Sequence, residues 1–261
     1  MRYCSLASGS NGNCHYIEQD RARVLVDLGL TARTVENRLR SLEVDPGGIR
    51  AILVTHEHSD HVQGVGVWAR RYKIPIMASE GTWSAMAKSV GNIPGELQVV
   101  LKPGKGYRLD DLRIEAFHTY HDARDPFGYS FECGDRKLTI MTDTGTVSSE
   151  MEAHLKRSQF AVVESNHDID MLMNGSYPWP LKKRVRSNLG HLSNQDCGLL
   201  LRRVMEVNPE ATVLLGHLSD ENNEPQLALE TVQHLVEPVL PVEKQHIYLT
   251  VRGDMTKMFE I

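Results

Sequence analysis

An apolar strand that runs straight into a cluster of imidazoles leaves a chain few ways to fold. Ala51 to Val54 form an unbroken apolar run, and Thr55-His56-Glu57-His58-Ser59-Asp60-His61 follows at once. Imidazole nitrogens and carboxylate oxygens are the usual donors to catalytic zinc, in sites that keep one position open for water. On a turn, His56 and His58 can face one cation while Asp60 and His61 face a second about 3.5 to 4 Å away, as in two-metal hydrolases. The alternative is a solvated polar loop. It leaves unexplained the matching donors downstream, because His121, Asp143 and His217 each lie at or just beyond the end of an expected strand, where sites on rigid sheets are assembled.

The surrounding pattern alternates strand and helix. Strands are expected at Arg2 to Leu6, up to Glu18, at Val24 to Asp27, at Ala51 to Val54 and at Pro75 to Ala78, with helices capped at Thr31 and over Val65 to Tyr72. A loop of Ser8, Gly9, Ser10, Asn11, Gly12 and Asn13 joins the first two strands. From Val99 to Met141 the helical period gives way to short strands separated by turn residues, which reads as an antiparallel run. Strands return at Phe160 to Glu164, Thr212 to Leu215 and His246 to Val251, with helices near Ser193 to Val207 and Pro225 to Val236. Two stretches of strands with helices alongside predict a four-layer αββα sandwich, two mixed sheets face to face with helices outside. We expect a single domain over residues 1–261.

Charge and cysteine content narrow the class. A net charge of -5 argues against a surface that binds nucleic acid through bulk charge. Cys4, Cys14, Cys133 and Cys197 form no CxxC pair, which fits a reducing cytoplasm better than a disulfide framework or thiolate zinc cluster. No segment approaches the roughly 18 consecutive apolar residues of a spanning helix. The oligomeric state is not legible.

Some residues keep two readings. His118 and His121 both compete for the third ligand position; in a strand they point to opposite faces, and His121 is preferred because it sits at the strand end beside Asp122. Asp143 can offer both carboxylate oxygens and so bridge two cations. Glu164 and His191 read equally well as a strand-end acid and a helix-start histidine or as catalytic groups. The run Lys182, Lys183, Arg184 and Arg186 is either a solvated charge run or a contact for a nucleic-acid backbone, and His167 either structural or substrate-facing.

The ordered signature HxHxDH, His, Asp, His resembles the metallo-β-lactamase superfamily over nearly the whole chain. That resemblance implies one metal on His56, His58 and His121, another on Asp60, His61 and His217, and Asp143 bridging them. Zinc or manganese fits best, and iron suits the same donors. The motifs ASGSNGNC, THEHSDH, HDARDPFGYSF, TDTG, ESNHD, GHLSN and GHLSDENN are similar to the bacterial YycJ/WalJ-like exonuclease group. The resemblance implies a nucleic-acid phosphodiesterase with a metal-bound hydroxide nucleophile. Asp60 would orient the water and His191, tuned by Glu164, would protonate the leaving oxygen; His167, Lys182 and Lys183 would meet substrate. A small-molecule hydrolase of the same fold (acting on a cyclic phosphodiester, thioester or lactone) and an iron-dependent redox protein are the competing expectations. The large cap of the β-CASP nucleases and the tRNA-gripping arm have no counterpart here.

Overall fold

The computed structural model describes every residue except Arg252. The chain divides into two compact units: Met1–His118, Ala123–Asp135 and Val251–Ile261 form the first, Thr119–Asp122 and Arg136–Thr250 the second.

The first unit opens with three strands, β1 (Arg2–Ala7), β2 (Cys14–Gln19) and β3 (Ala22–Val26), paired antiparallel in succession. Helix α1 (Ala32–Ser41) begins at Thr31, whose side chain accepts the Thr34 N–H as the sequence predicts. It leads to β4 (Ala51–Leu53), which pairs parallel with β3 because a helical crossover returns the chain in the same direction. Helices α2 (Ser59–Val62) and α3 (Val65–Tyr72) precede β5 (Ile76–Ala78), and α4 (Glu80–Val90) precedes β6 (Gln98–Val100). Trp68 on α3 is fully buried in the core with Tyr16, Leu25 and Ile52. Then come β7 (Gly106–Leu109), β8 (Leu112–His118) and β9 (Phe127–Cys133), antiparallel neighbours, with the apolar residues Leu112, Ile114 and Ala116 of β8 alternating inward.

The second unit contains β10 (Arg136–Met141), α5 (Ser149–Lys156), β11 (Phe160–Glu164), α6 (Ile169–Asn174), α7 (Trp179–Val185), α8 (Asn194–Met205), β12 (Thr212–Gly216), α9 (Pro225–Val236) and β13 (Ile247–Leu249). Its strands pair parallel, and β11 is buried along its whole length, as strands covered on both faces must be. The last strand, β14 (Phe259–Glu260), pairs with β1. Strand order is β14-β1-β2-β3-β4-β5-β6 in one seven-stranded sheet and β13-β12-β11-β10-β9-β8-β7 in the other. Two mixed sheets flanked by helices match the expected fold class.

Two expectations change. Val99 does not open the antiparallel run: it pairs with Met77 in parallel, because the unforeseen helix α4 makes β5-α4-β6 a crossover unit. Helices α5, α6 and α7 also escaped the periodicity reading, being eight, six and seven residues long. In the six- and seven-residue helices α6 and α7 too few turns repeat for an apolar stripe to show.

Candidate metal centre

In the first unit, the turn after β4 is held by backbone. His58 caps α2 and its carbonyl accepts the N–H groups of His61 and Val62, which sets Asp60 and His61 on the first helical turn. The opening glycine-serine loop packs on this turn, with the Asn13 amide donating to the Asp60 carbonyl at 2.8 Å. Gly29 is required there, since a Cβ would fall 1.6 Å from the Asp60 oxygen.

Sequence reasoning took Asp27 only as the end of a strand, yet it organises this cluster. It follows β3 with φ of 60°, left-handed backbone that a non-glycine residue keeps only when its surroundings enforce it. Its Oδ1 accepts the Thr55 N–H at 2.8 Å, and its Oδ2 accepts the Thr55 hydroxyl at 2.9 Å and His61 Nδ1–H at 2.8 Å. The Thr55 hydroxyl, having donated its proton, accepts from His56 Nδ1 at 3.0 Å. Both imidazoles therefore carry their lone pair on Nε2. His56 Nε2 stands 3.0 Å from His58 Nδ1, close enough that a divalent cation would be held by both rings. Burial pushes the Asp27 carboxyl up, opposed by His61 and Thr55. The only available sign of its role was an acid ending an apolar strand.

In the second unit a carboxylate does the same work. Glu164 ends β11 fully buried; its Oε1 accepts His191 Nδ1–H at 2.7 Å and His217 Nδ1–H at 2.8 Å, while Oε2 accepts the N–H groups of Thr144 and Leu192 at 3.0 and 3.2 Å. Burial opposes its ionisation, but these donors overcome that and hold the carboxyl well below the usual range. Asp143 and His217 sit just past β10 and β12 with φ of 56° and 55°. Asp143 Oδ1 lies 3.5 Å from His217 Nδ1 and 3.8 Å from His121 Nε2. Asp143, Glu164, His191 and His217 gather within 4.8 Å, a closeness we attribute to the Glu164 hydrogen bonds rather than to a four-residue cage.

His121 is buried, and its Nδ1 donates to the Gly190 carbonyl at 3.1 Å, again leaving the lone pair on Nε2. A Cβ on Gly190 would lie 2.1 Å from the Val185 carbonyl, so glycine lets that strand of backbone reach the imidazole. Burial lowers the His121 pKa despite Asp143, keeping the ring neutral as a ligand must be. Asp122 pairs with Arg184 and stands 3.4 Å from His121 Nε2. His118 is exposed at the end of β8, 3.4 Å from Asp125 and against the Phe127 ring.

The basic run splits. Lys182 is buried, and its Nζ donates to the carbonyls of Met173 and Gly175, both at 2.8 Å, which turns it to the end of α6 and away from solvent. Lys183 is exposed, over the Trp179 ring. His167 is 1% exposed in the wall of a cavity that His191 also lines. His15 bonds the Tyr3 hydroxyl at 2.8 Å, His154 meets Lys137, and His234 is exposed.

The donors fit divalent metal ions: they are imidazoles and carboxylates, largely buried, with Nδ1 of His56, His61, His121 and His217 already engaged by protein oxygens. Fold and donors together define the class, a metal-dependent hydrolase of the metallo-β-lactamase fold. A family profile described as Beta-lactamase superfamily domain matches residues 22–217, and the chain belongs to that superfamily. It is 40% identical over 237 residues to exodeoxyribonuclease YycJ of Bacillus anthracis, covering 91% of this chain and 89% of that one. It is 41% identical over 234 residues to exodeoxyribonuclease WalJ of Streptococcus pneumoniae serotype 2, covering 89% and 87%. The likeness to the YycJ/WalJ group expected from the motifs is thereby established. Among solved structures, the metallo-β-lactamase fold protein YhfI from Bacillus subtilis superposes with a TM-score of 0.68 at 12% identity, covering 98% of each chain, and speaks for the fold. Among the described residues no helix is long and apolar enough to cross a membrane.

Proposed function

We propose that this protein is a dinuclear metal-dependent exodeoxyribonuclease, with residues 1–261 acting as one domain. His56, His58 and His121 would hold one ion, Asp60, His61 and His217 the other, and Asp143 would bridge. Divalent zinc or manganese bound there would supply Lewis acidity toward the phosphoryl oxygens and make a water acidic near neutral pH. Asp60, a quarter exposed, orients the attacking water through its carboxylate. His191 gives its Nε2 proton to the departing sugar oxygen. Glu164 holds the Nδ1 side of that ring, which leaves Nε2 as the nitrogen free to act, and His191 lines the cavity. Lys183 on exposed α7 meets a phosphate of the strand.

The observation that carries this reading is the Glu164 fork. One buried carboxylate holds the proposed ligand His217 and, beside it, the partly exposed His191, and a site that only bound metal would have no use for the second imidazole. The names of the two relatives, 40% and 41% identical, support DNA as substrate. Free cysteines, with no disulfide among the described residues, support a cytoplasmic location.

The test is a panel of end-labelled single- and double-stranded DNA and RNA, with bis-p-nitrophenyl phosphate and a thioester alongside, in Mn²⁺ or Zn²⁺. DNA shortened from an end, and protected by a chelator, is the expected result. Rapid thioester turnover with intact nucleic acids would replace this function with small-molecule hydrolysis.

A further inference from the structure

A cavity of 420 Å³ lies within the second unit beside His191, inside the range of about 300 to 1,000 Å³ in which small organic ligands bind. Its wall is mostly polar, with the exposed cation Arg186 and the acceptor Asp196, and carries a smaller apolar side from Val147, Ile169 and Leu200. His167 completes it and is the telling member. It is 1% exposed, and neither of its ring nitrogens has a hydrogen-bond partner. A neutral imidazole offers one N–H and one lone pair, and buried polar groups of this kind are nearly always satisfied. Burial brings the His167 pKa down to about 4, so the ring is neutral at pH 7 and presents both functions.

We propose that this cavity is a subsite for one nucleotide on the leaving-group side of the scissile bond: the base packs on the apolar side and is hydrogen-bonded by His167, and its phosphate is drawn by Arg186. His191 places it on that side, since the residue that protonates the departing oxygen lines the cavity. A bare phosphate would leave the two functions of the His167 ring unpaired and would be repelled by Asp196, which suits an amino or hydroxyl donor instead. The inference rests on the nuclease reading of the same site.

Calorimetric titration of the full chain with inorganic phosphate, 2-deoxyribose 5-phosphate, dAMP and dTMP tests it without turnover. The nucleotides should bind at least about tenfold more tightly than the sugar phosphate, the worth of one good hydrogen bond. His167→Ala should erase that advantage, His167→Gln should restore part of it, and Arg186→Ala, at an exposed position, should weaken all phosphates while leaving the base preference. Equal affinity for sugar phosphate and nucleotides, or a preference that survives His167→Ala in a folded protein, overturns the subsite. DNA cleavage without nucleotide preference defeats the subsite alone. Nucleotide preference in a chain that cuts no DNA keeps the nucleotide cavity and removes the nuclease reading.

Discussion

The two units orient their imidazoles by the same device at different strength. In the first, Asp27 takes one imidazole directly and a second through the Thr55 hydroxyl. In the second, Glu164 takes two imidazoles on one oxygen and two backbone amides on the other. The electrostatic outcome differs in sign: burial wins at Asp27 and pushes its carboxyl up, whereas the donors win at Glu164 and hold its carboxyl down. A buried carboxylate remains a firm anion only when its lone pairs are nearly all engaged. Glu164 therefore anchors both a proposed ligand and the proposed acid, while Asp27 serves ligands alone.

Replacing Glu164 should have the largest effect. Glu164→Gln keeps the shape but cannot accept from both imidazoles through one anionic oxygen, so DNA cleavage should fall by roughly the 10² to 10⁴ of a lost general acid. Metal retention, read by competition with a chelator, should drop by a further 10- to 100-fold or so. Full cleavage with normal metal content would break the comparison at its stronger side.

His191→Ala comes next, and it separates the two duties of Glu164. Cleavage of DNA should slow by about 10² or more, while bis-p-nitrophenyl phosphate, whose leaving group needs no proton, should lose far less. Metal content by elemental analysis should stay that of the unaltered protein. Equal losses on both substrates would leave His191 without its acid role.

Asp27→Asn should be milder and of one kind. We expect metal affinity to fall by about 10- to 100-fold, with restored activity at saturating metal and an unchanged leaving-group dependence. A leaving-group effect as large as that of Glu164→Gln would show that the first cluster also feeds the proton to the product, and the contrast would fail.

How much of this was legible follows the same division. His56, His58, Asp60 and His61 could be read because a strand end and a short turn place consecutive residues together. His121, Asp143 and His217 could be singled out as candidates because each lies just past a strand. Asp27 was not found, since its importance lies in contacts with Thr55 and His61 that no local pattern encodes. The inward turn of Lys182 was not legible for a related reason: in a seven-residue helix, charge pattern cannot tell which lysine turns to the end of α6.

The smallest predicted effects distinguish the two lysines of α7. Lys183→Ala should weaken DNA binding nearly independently of sequence and lower the salt slope by about 1, measured by titration at several salt concentrations. Lys182→Met should leave that slope alone, because its ammonium is already hydrogen-bonded to Met173 and Gly175. It should instead destabilise the fold by about 1 to 3 kcal/mol in urea unfolding, as the two carbonyls lose their donor. An altered salt slope in Lys182→Met with unchanged stability would return that residue to the substrate-binding surface and make α7 a continuous basic face, strengthening the second unit's part in holding DNA.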